Sequence, residues 1–233
     1  MPPPFLLDID DCLVPLAIRR SARAMRMTLR LDPGGGVVVV LPAGVPDAEA
    51  ERFARKQRDW ISRRLAGLPR RIAMTGGDSV PLMGLPHLVR HVPDARRGVW
   101  AEAGEILVSG RLEHVSRRVE AFLREEARLV LTHRARTLAE IIGRKPGRVT
   151  VRDTRSRWGS CSASGALSFS WRLILAPGWI LDYVVAHEVA HLAEMNHGPG
   201  FWGLVADMVG DPAPARAWLK RHGPDLHRYG SPS

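Results

Sequence analysis

The sequence predicts an α+β protein in which a β-rich N-terminal unit precedes a unit built on helices. Three observations predict it. Short runs of alternating apolar and polar residues, separated by Gly and Pro, recur through the first 110 residues. Residues 112–142 then contain neither Gly nor Pro and repeat apolar residues at helical spacing. Finally, the largely apolar segment WILDYVVAHEVAHLAEM (179–195) is too long for a strand and has the length of a helix. The expected organisation is a tail over 1–16, a β-rich subdomain over 17–112 and a second subdomain over 113–233.

Residues 1–16 are Pro-rich and then acidic, and read as a loose tail. MRMTLRLD (25–32) alternates apolar and polar residues, as a half-buried strand does. Pro33-Gly34-Gly35-Gly36 then makes a turn into a returning strand, VVVVLP (37–42). These glycines are not a phosphate-binding loop, because no Gly-Lys-Ser/Thr follows and no helix opens there. An amphipathic helix is expected from Pro46-Asp47 to about Leu65, with Asp47 as N-cap and Phe53, Trp60, Ile61 and Leu65 toward the core. SVPLMG, PHLVRHV, GVWAEA and EILVSG (79–110) read as a short meander.

The long helix over 112–142 places Val115, Val119, Phe122, Leu123, Leu129, Val130 and Leu138 toward the core, and Arg117, Arg118, Arg124 and Arg128 on one basic face. KPGR (145–148) breaks it. Strands follow at 149–153 and 166–171, joined by the Gly- and Ser-rich turn TRSRWGSCSASG, and the second strand is the expected edge for pairing with an extended peptide. The apolar helix of 179–195 ends at Asn196-His197-Gly198-Pro199-Gly200, and shorter helices are expected at 201–208 and 213–221.

Composition narrows the function. With 233 residues and 45% hydrophobic content the chain can build a sizeable core, which excludes dominant disorder. Two cysteines, Cys12 and Cys161, exclude a disulfide framework and a four-thiolate zinc site. The longest apolar stretch, 173–185, is interrupted by Pro177, Gly178 and Asp182, so no membrane span is expected. The acidic start lacks a signal-peptide pattern, and the expectation is a soluble cytoplasmic protein without membrane partners. The net charge of +10 rests on 34 basic residues, all but Lys56, Lys145 and Lys220 being Arg. Such a surface attracts nucleotides, nucleic acid or acidic proteins. The arginines are scattered and not interleaved with aromatics, however, and read as ordinary solvated faces.

The chemistry lies in His187-Glu188-Val189-Ala190-His191. Residues four apart on a helix stand one turn above each other, so both imidazoles can bind one ion from one face. Glu188 is turned about 100° away and is placed to reach a water on that ion. From 9 His and 11 Glu the pattern would arise by chance about 0.02 times in this chain. Two imidazoles and a carboxylate on an apolar helix would also be costly to bury without a ligand. A catalytic zinc ion takes three protein ligands and leaves a position open. His197, just past the helix end, is the first candidate for the third, because Asn196 tolerates a left-handed turn and Gly-Pro-Gly reverses the chain; Glu194 is the second.

Other residues are secondary. Tyr183 lies one turn before His187 on the same face and is placed to donate a hydrogen bond near the ion, though a packed helix tyrosine accounts for it as well. Arg155 and Arg157 could hold an oxyanion or an acidic substrate group, or make structural ion pairs. Cys161 has no independent base nearby and reads as a buried thiol. Trp158, Trp171 and Trp202 read as core around the site.

Taken together, TRSRWGSCSASG, SWRLILAP and LDYVVAHEVAHLAEMNHGPGFW resemble the YgjP-like metallopeptidase family, a relative of the SprT-like zinc proteases, from about Ile18 to about His222. Ser170 stands where relatives often have Asn, and Val189 where Leu is usual. The resemblance implies a zincin-like fold over 113–233, with a mixed sheet flanked by the active-site helix and ligands at His187, His191 and His197. It also implies a zinc-dependent metallopeptidase acting on peptide or protein, with Glu188 as general base. Two other readings are a metal-dependent hydrolase of a phosphoanhydride such as a nucleoside triphosphate, and a DNA-associated protein with structural zinc.

Overall fold

A computed structural model describes residues 5–10, 12–31, 36–66, 71–154 and 156–230, in two compact units, 1–70 and 71–231. The division falls at 70 and not at 112, so the strands of 79–108 belong with the helices that follow them.

In the first unit, the segment expected as a tail forms strand β1 (Phe5–Ile9) and the start of β2 (Cys12–Ser21). Their alternation buries Leu7, Ile9, Val14 and Leu16, a pattern obscured in the sequence by the intervening acids and prolines. Strands β3 (Thr28–Leu31) and β4 (Val37–Pro42) complete a sheet of order β1-β2-β4-β3, with β2 and β4 parallel. The turn expected at 33–36 lies largely outside the described residues. The single helix expected at 47–65 is two, α1 (Asp47–Lys56) and α2 (Arg58–Ala66), interrupted at Gln57. Asp47 is not the N-cap. Its carboxylate instead pairs with Arg20 at 2.5 Å. Ala50, Ala54 and Ile61 face the core of this unit, whereas Trp60 is exposed and borders a groove with Phe53 and Met27.

The second unit opens with β5 (Ser79–Leu82), β6 (Leu85–His91), β7 (Val99–Glu102) and β8 (Glu105–Val108). Their order, β5-β6-β8-β7 with β6 and β8 parallel, replaces the expected meander. Helix α3 (Val115–Ile141) buries a stripe of Val115, Val119, Leu123, Ala127, Leu131, Ala135 and Ala139, one residue every four. Leu129, expected inside, is exposed. The expected basic face is partly neutralised, since Arg124 pairs with Glu120 and Arg128 with Glu125.

A three-stranded mixed sheet follows, from β9 (Val149–Arg152), β10 (Gly159–Cys161) and β11 (Leu167–Ser170), in the order β10-β11-β9. β11 pairs antiparallel with β10 and parallel with β9. It is therefore the central strand, and among the described residues the edge strands are β10 and β9, not the 166–171 segment expected from the sequence. A buried 3-10 turn, Trp171–Leu175, leads to α4 (Gly178–Ala190), which is buried on almost every side. At the entry to α4, Gly84 in the β5–β6 turn has φ +81°, and a β-carbon there would stand 2.8 Å from the Cα of Pro177. Arg134 of α3 donates to the Gly178 carbonyl at 2.8 Å and pairs with Asp182. Helices α5 (Pro199–Val209) and α6 (Ala213–Leu226) complete the unit, α6 running five residues past the expected 221. No described helix is long and apolar enough to cross a membrane.

One buried polar cluster supports the sheet and the segment leading from it. Arg172, 1% exposed, lies 3.0 Å from Asp153, which Arg124 also meets at 3.0 Å. The Trp171 ring packs against both guanidiniums, at 4.4 Å from Arg172 and 5.1 Å from Arg124. Removing one partner of such a buried pair strands the other charge. Asp153→Ala is therefore expected to lower stability by about 3–5 kcal/mol in urea denaturation. A loss below about 1 kcal/mol would mean that Arg172 is adequately neutralised without Asp153.

Candidate metal centre

Helix α4 carries His187 and Glu188, and His191 caps its C-terminal end. The helix stops at Ala190, five residues earlier than expected, where the Leu192 and Ala193 N–H groups donate to carbonyls three residues back, Val189 and Ala190, at 2.9 and 3.1 Å. Beyond it the Glu194 carbonyl lies 3.0 Å from His191 Nδ1. Asn196 is absent from the left-handed residues. The chain instead reverses through the Gly198 N–H, which donates to the Asn196 carbonyl at 2.8 Å before α5 begins. This reversal brings His197 back over α4, its Nε2 3.1 Å from His187 Nε2.

The three rings stand 4.8–5.2 Å apart by centroid, and their ligating nitrogens all lie within 4.8 Å of one another. Two imidazole nitrogens on one tetrahedral zinc lie about 3.3 Å apart, so the His187–His197 separation already suits a shared ion. The donor set fits as well. A bond from His191 Nδ1–H to the Glu194 carbonyl leaves its Nε2 lone pair free. Burial, reinforced by His191, His197 and Arg216, pushes His187 down to about 4, so its ring is neutral at neutral pH.

Glu188 is 7% exposed. Burial raises its carboxyl to about 7, with the Arg157 guanidinium acting in the other direction. A β-carbon on Gly159 would lie 2.5 Å from Glu188 Cγ and 2.6 Å from Oε1, so only glycine lets the strand pass this close. Glu188 and His187 line a cavity of about 270 Å³ with Arg157, Trp158, Tyr183 and Leu219. Burial also raises the Tyr183 phenol, which stays protonated at neutral pH, and the Tyr183 ring lies 6.1 Å from that of His187. Cys161 is half-buried, not fully buried, and burial together with nearby Glu188 raises its thiol. It remains a thiol and a poor nucleophile.

The remaining candidates separate. Arg155 lies outside the described residues. The Glu194 side chain extends from the turn after α4 toward Gly200, and only its carbonyl meets His191. Trp202 lies 5.9 Å from both His187 and His197, Trp158 stacks on His227 at 5.1 Å, and Trp171 belongs to the Asp153 cluster. Sequence reasoning missed Phe201, Gly159 and Arg216. The fully buried Phe201 ring contacts all three histidines at 4.6–4.9 Å, and Arg216 of α6 lies over Trp202 at 5.2 Å. A glycine within a strand next to tryptophan was a readable signal for Gly159. Arg216 had none, because only the fold brings α6 to the site.

The family model described as YgjP-like, metallopeptidase domain, matches residues 25–222. The crystal structure of the metallopeptidase zymogen of Pyrococcus abyssi abylysin is similar at 20% identity and a TM-score of 0.36, over 43% of this chain and 99% of that one. No curated protein matches the chain.

The contact between Gly159 and Glu188 yields a prediction. Gly159→Ala should displace the carboxylate and lower turnover by about 10²-fold, the scale of an ångström-level misplacement, while metal content stays at the wild-type level. Rate and metal stoichiometry on one preparation check this; an unaltered rate would show that the carboxylate position does not matter.

Proposed function

The chain belongs to the YgjP-like metallopeptidase family, and we propose that it hydrolyses peptide bonds using zinc held by His187, His191 and His197, with Glu188 as general base. It is a metal-dependent hydrolase with a zincin-like α+β fold. The observation that carries the reading is the convergence of three imidazoles, one from α4, one from its C-cap and one from the turn after it, beside a buried carboxylate outside the nitrogen cluster.

Bound zinc supplies Lewis acidity, which makes water nucleophilic at neutral pH and polarises a carbonyl. The protein's own groups do the rest. Glu188 Oε1, held against Gly159, removes the proton from the attacking water and delivers it to the leaving amine. Tyr183 and Arg157 line the same cavity and supply donors for the negative charge that develops on the carbonyl oxygen. Phe201 packs under the three rings and fixes their rotamers. Among the described residues, the cluster contains no fourth His, Cys, Asp or Glu. That favours an open catalytic site over a closed structural one.

Two results follow. His187→Ala, His191→Ala and His197→Ala should each lose bound metal by elemental analysis and lose hydrolysis, whereas Glu194→Ala should keep metal close to wild type, since its carbonyl remains. Stoichiometric, tightly held metal in any of the three histidine variants would remove that residue from the ligand set. Glu188→Gln should retain metal while turnover falls by about 10²–10⁴-fold, the usual worth of a general base. Assays should run in parallel on peptides, unfolded protein and nucleoside triphosphates. Turnover of nucleotides alone would move the reaction to phosphoanhydrides.

A further inference from the structure

We propose that the active-site cleft selects peptides carrying an acidic side chain two to four residues from the scissile bond, which Arg144 and Lys145 recognise in a second cavity beside His191. The inference rests on the peptidase reading and adds a substrate class to it. Its starting point is the edge position of β10, which among the described strands pairs with β11 alone. The first residue of that strand, Gly159, lines the cavity of Glu188 and His187. The residue just past its end, Ser162, lines another cavity of about 450 Å³, bordered also by Arg144, Lys145, Gly165, His191 and Leu192. A strand rises about 3.3 Å per residue, so the three residues of β10 span about 10 Å between the cavities. An extended peptide lying along this edge thus passes the reacting centre and reaches the two cations a few residues away.

The second cavity has the charge of an acid-binding site. Its lining contains two cations and no acidic side chain. Among the described residues neither Arg144 nor Lys145 has an ion-pair partner, whereas Arg124, Arg128 and Arg134 on α3 are all paired with acids. The backbone that carries the two cations is tied down. The Arg144 N–H donates to the Ala139 carbonyl at 2.8 Å, and the Gly147 N–H donates to the Gly165 carbonyl at the tip of the β10–β11 hairpin at 2.9 Å. The same hairpin tip reaches α4's end, where a β-carbon on Gly165 would meet Leu192 at 3.4 Å. The backbone carrying the cations is therefore held relative to the histidines, while their exposed side chains can reach into the cavity.

A competing role exists, because both residues follow the C-terminus of α3 and complement its dipole. That role predicts an effect on stability and none on selectivity. The test uses the zinc-loaded 233-residue chain and fluorogenic peptides differing only by Glu or Lys at positions two to four residues from the cleaved bond, on each side. Glu should be preferred about tenfold in kcat/KM at one such position, the scale of two exposed ion pairs, and salt should narrow the ratio. The double variant Arg144→Glu with Lys145→Glu should invert the ratio. Arg63→Glu with Arg64→Glu, the same charge change on α2, should leave it as it is. A second arm measures binding of the same labelled peptides to Glu188→Gln protein by fluorescence anisotropy, where the Glu-over-Lys preference should reappear and be lost on charge reversal. Equal treatment of the two peptides in this arm, or a preference insensitive to Arg144 and Lys145, overturns the proposal. Selective binding without cleavage of any peptide would instead overturn the hydrolysis reading and leave the acid-selective cleft standing.

Discussion

The Glu188 carboxylate and the Gly159 backbone occupy adjoining space with no room for a β-carbon between them, and the site is built around that contact. A carboxylate on an apolar, buried helix is expensive to hold, because the interior offers its charged form little solvation. The fold accepts that cost at one position. Glycine lets the edge strand come within reach, while Arg157 at the cavity rim opposes the rise in pKa that burial imposes. The same approach makes β10 one wall of the cleft.

Keeping this contact in register requires both partners to be fixed from elsewhere. Helix α4 is anchored at its start by Arg134 and by the Gly84–Pro177 approach, and at its end by the chain reversal that returns His197. On the other side, the Asp153–Arg172 pair follows β9 directly and joins it to the segment leaving β11. Ser170 donates to the Thr154 carbonyl at 3.4 Å, and the Trp158 carbonyl accepts from the Ser170 N–H at 2.9 Å. These bonds hold both ends of the segment that delivers Arg157, Trp158 and Gly159. Buried polar groups here serve position more than net stability.

Much of the site could be read from the sequence because its information is local. His187 and Glu188 lie on one helix that His191 caps, and His197 follows six residues later, so helical spacing and a turn place all four. The long helix α3 was legible for the same reason, from a stretch free of Gly and Pro with apolar residues at helical spacing, although its buried stripe of one residue in four leaves Leu129 outside. What escaped depends on pairing between distant segments. The parallel pairs β2–β4 and β6–β8 join strands that are not consecutive, and alternation within a strand cannot specify its neighbour. The edge role of β10 was misassigned to β11 for that reason. Likewise, β1 and the start of β2 looked like a tail because Asp8 and Pro15 sit among their outward positions and Asp10 falls between them. Arg216 became visible only once α6 had been placed beside α4.

X-ray absorption at the metal edge of purified protein, repeated on Glu188→Gln, tests the central claim most directly. The account predicts one ion per chain with three imidazole nitrogens at about 2.0–2.1 Å, no sulfur, and the same three nitrogens in the variant. A sulfur ligand, fewer than three imidazoles, or loss of the ion when Glu188 is changed would contradict it, because each would place the carboxylate or another group in the coordination shell that His187, His191 and His197 are assigned to supply.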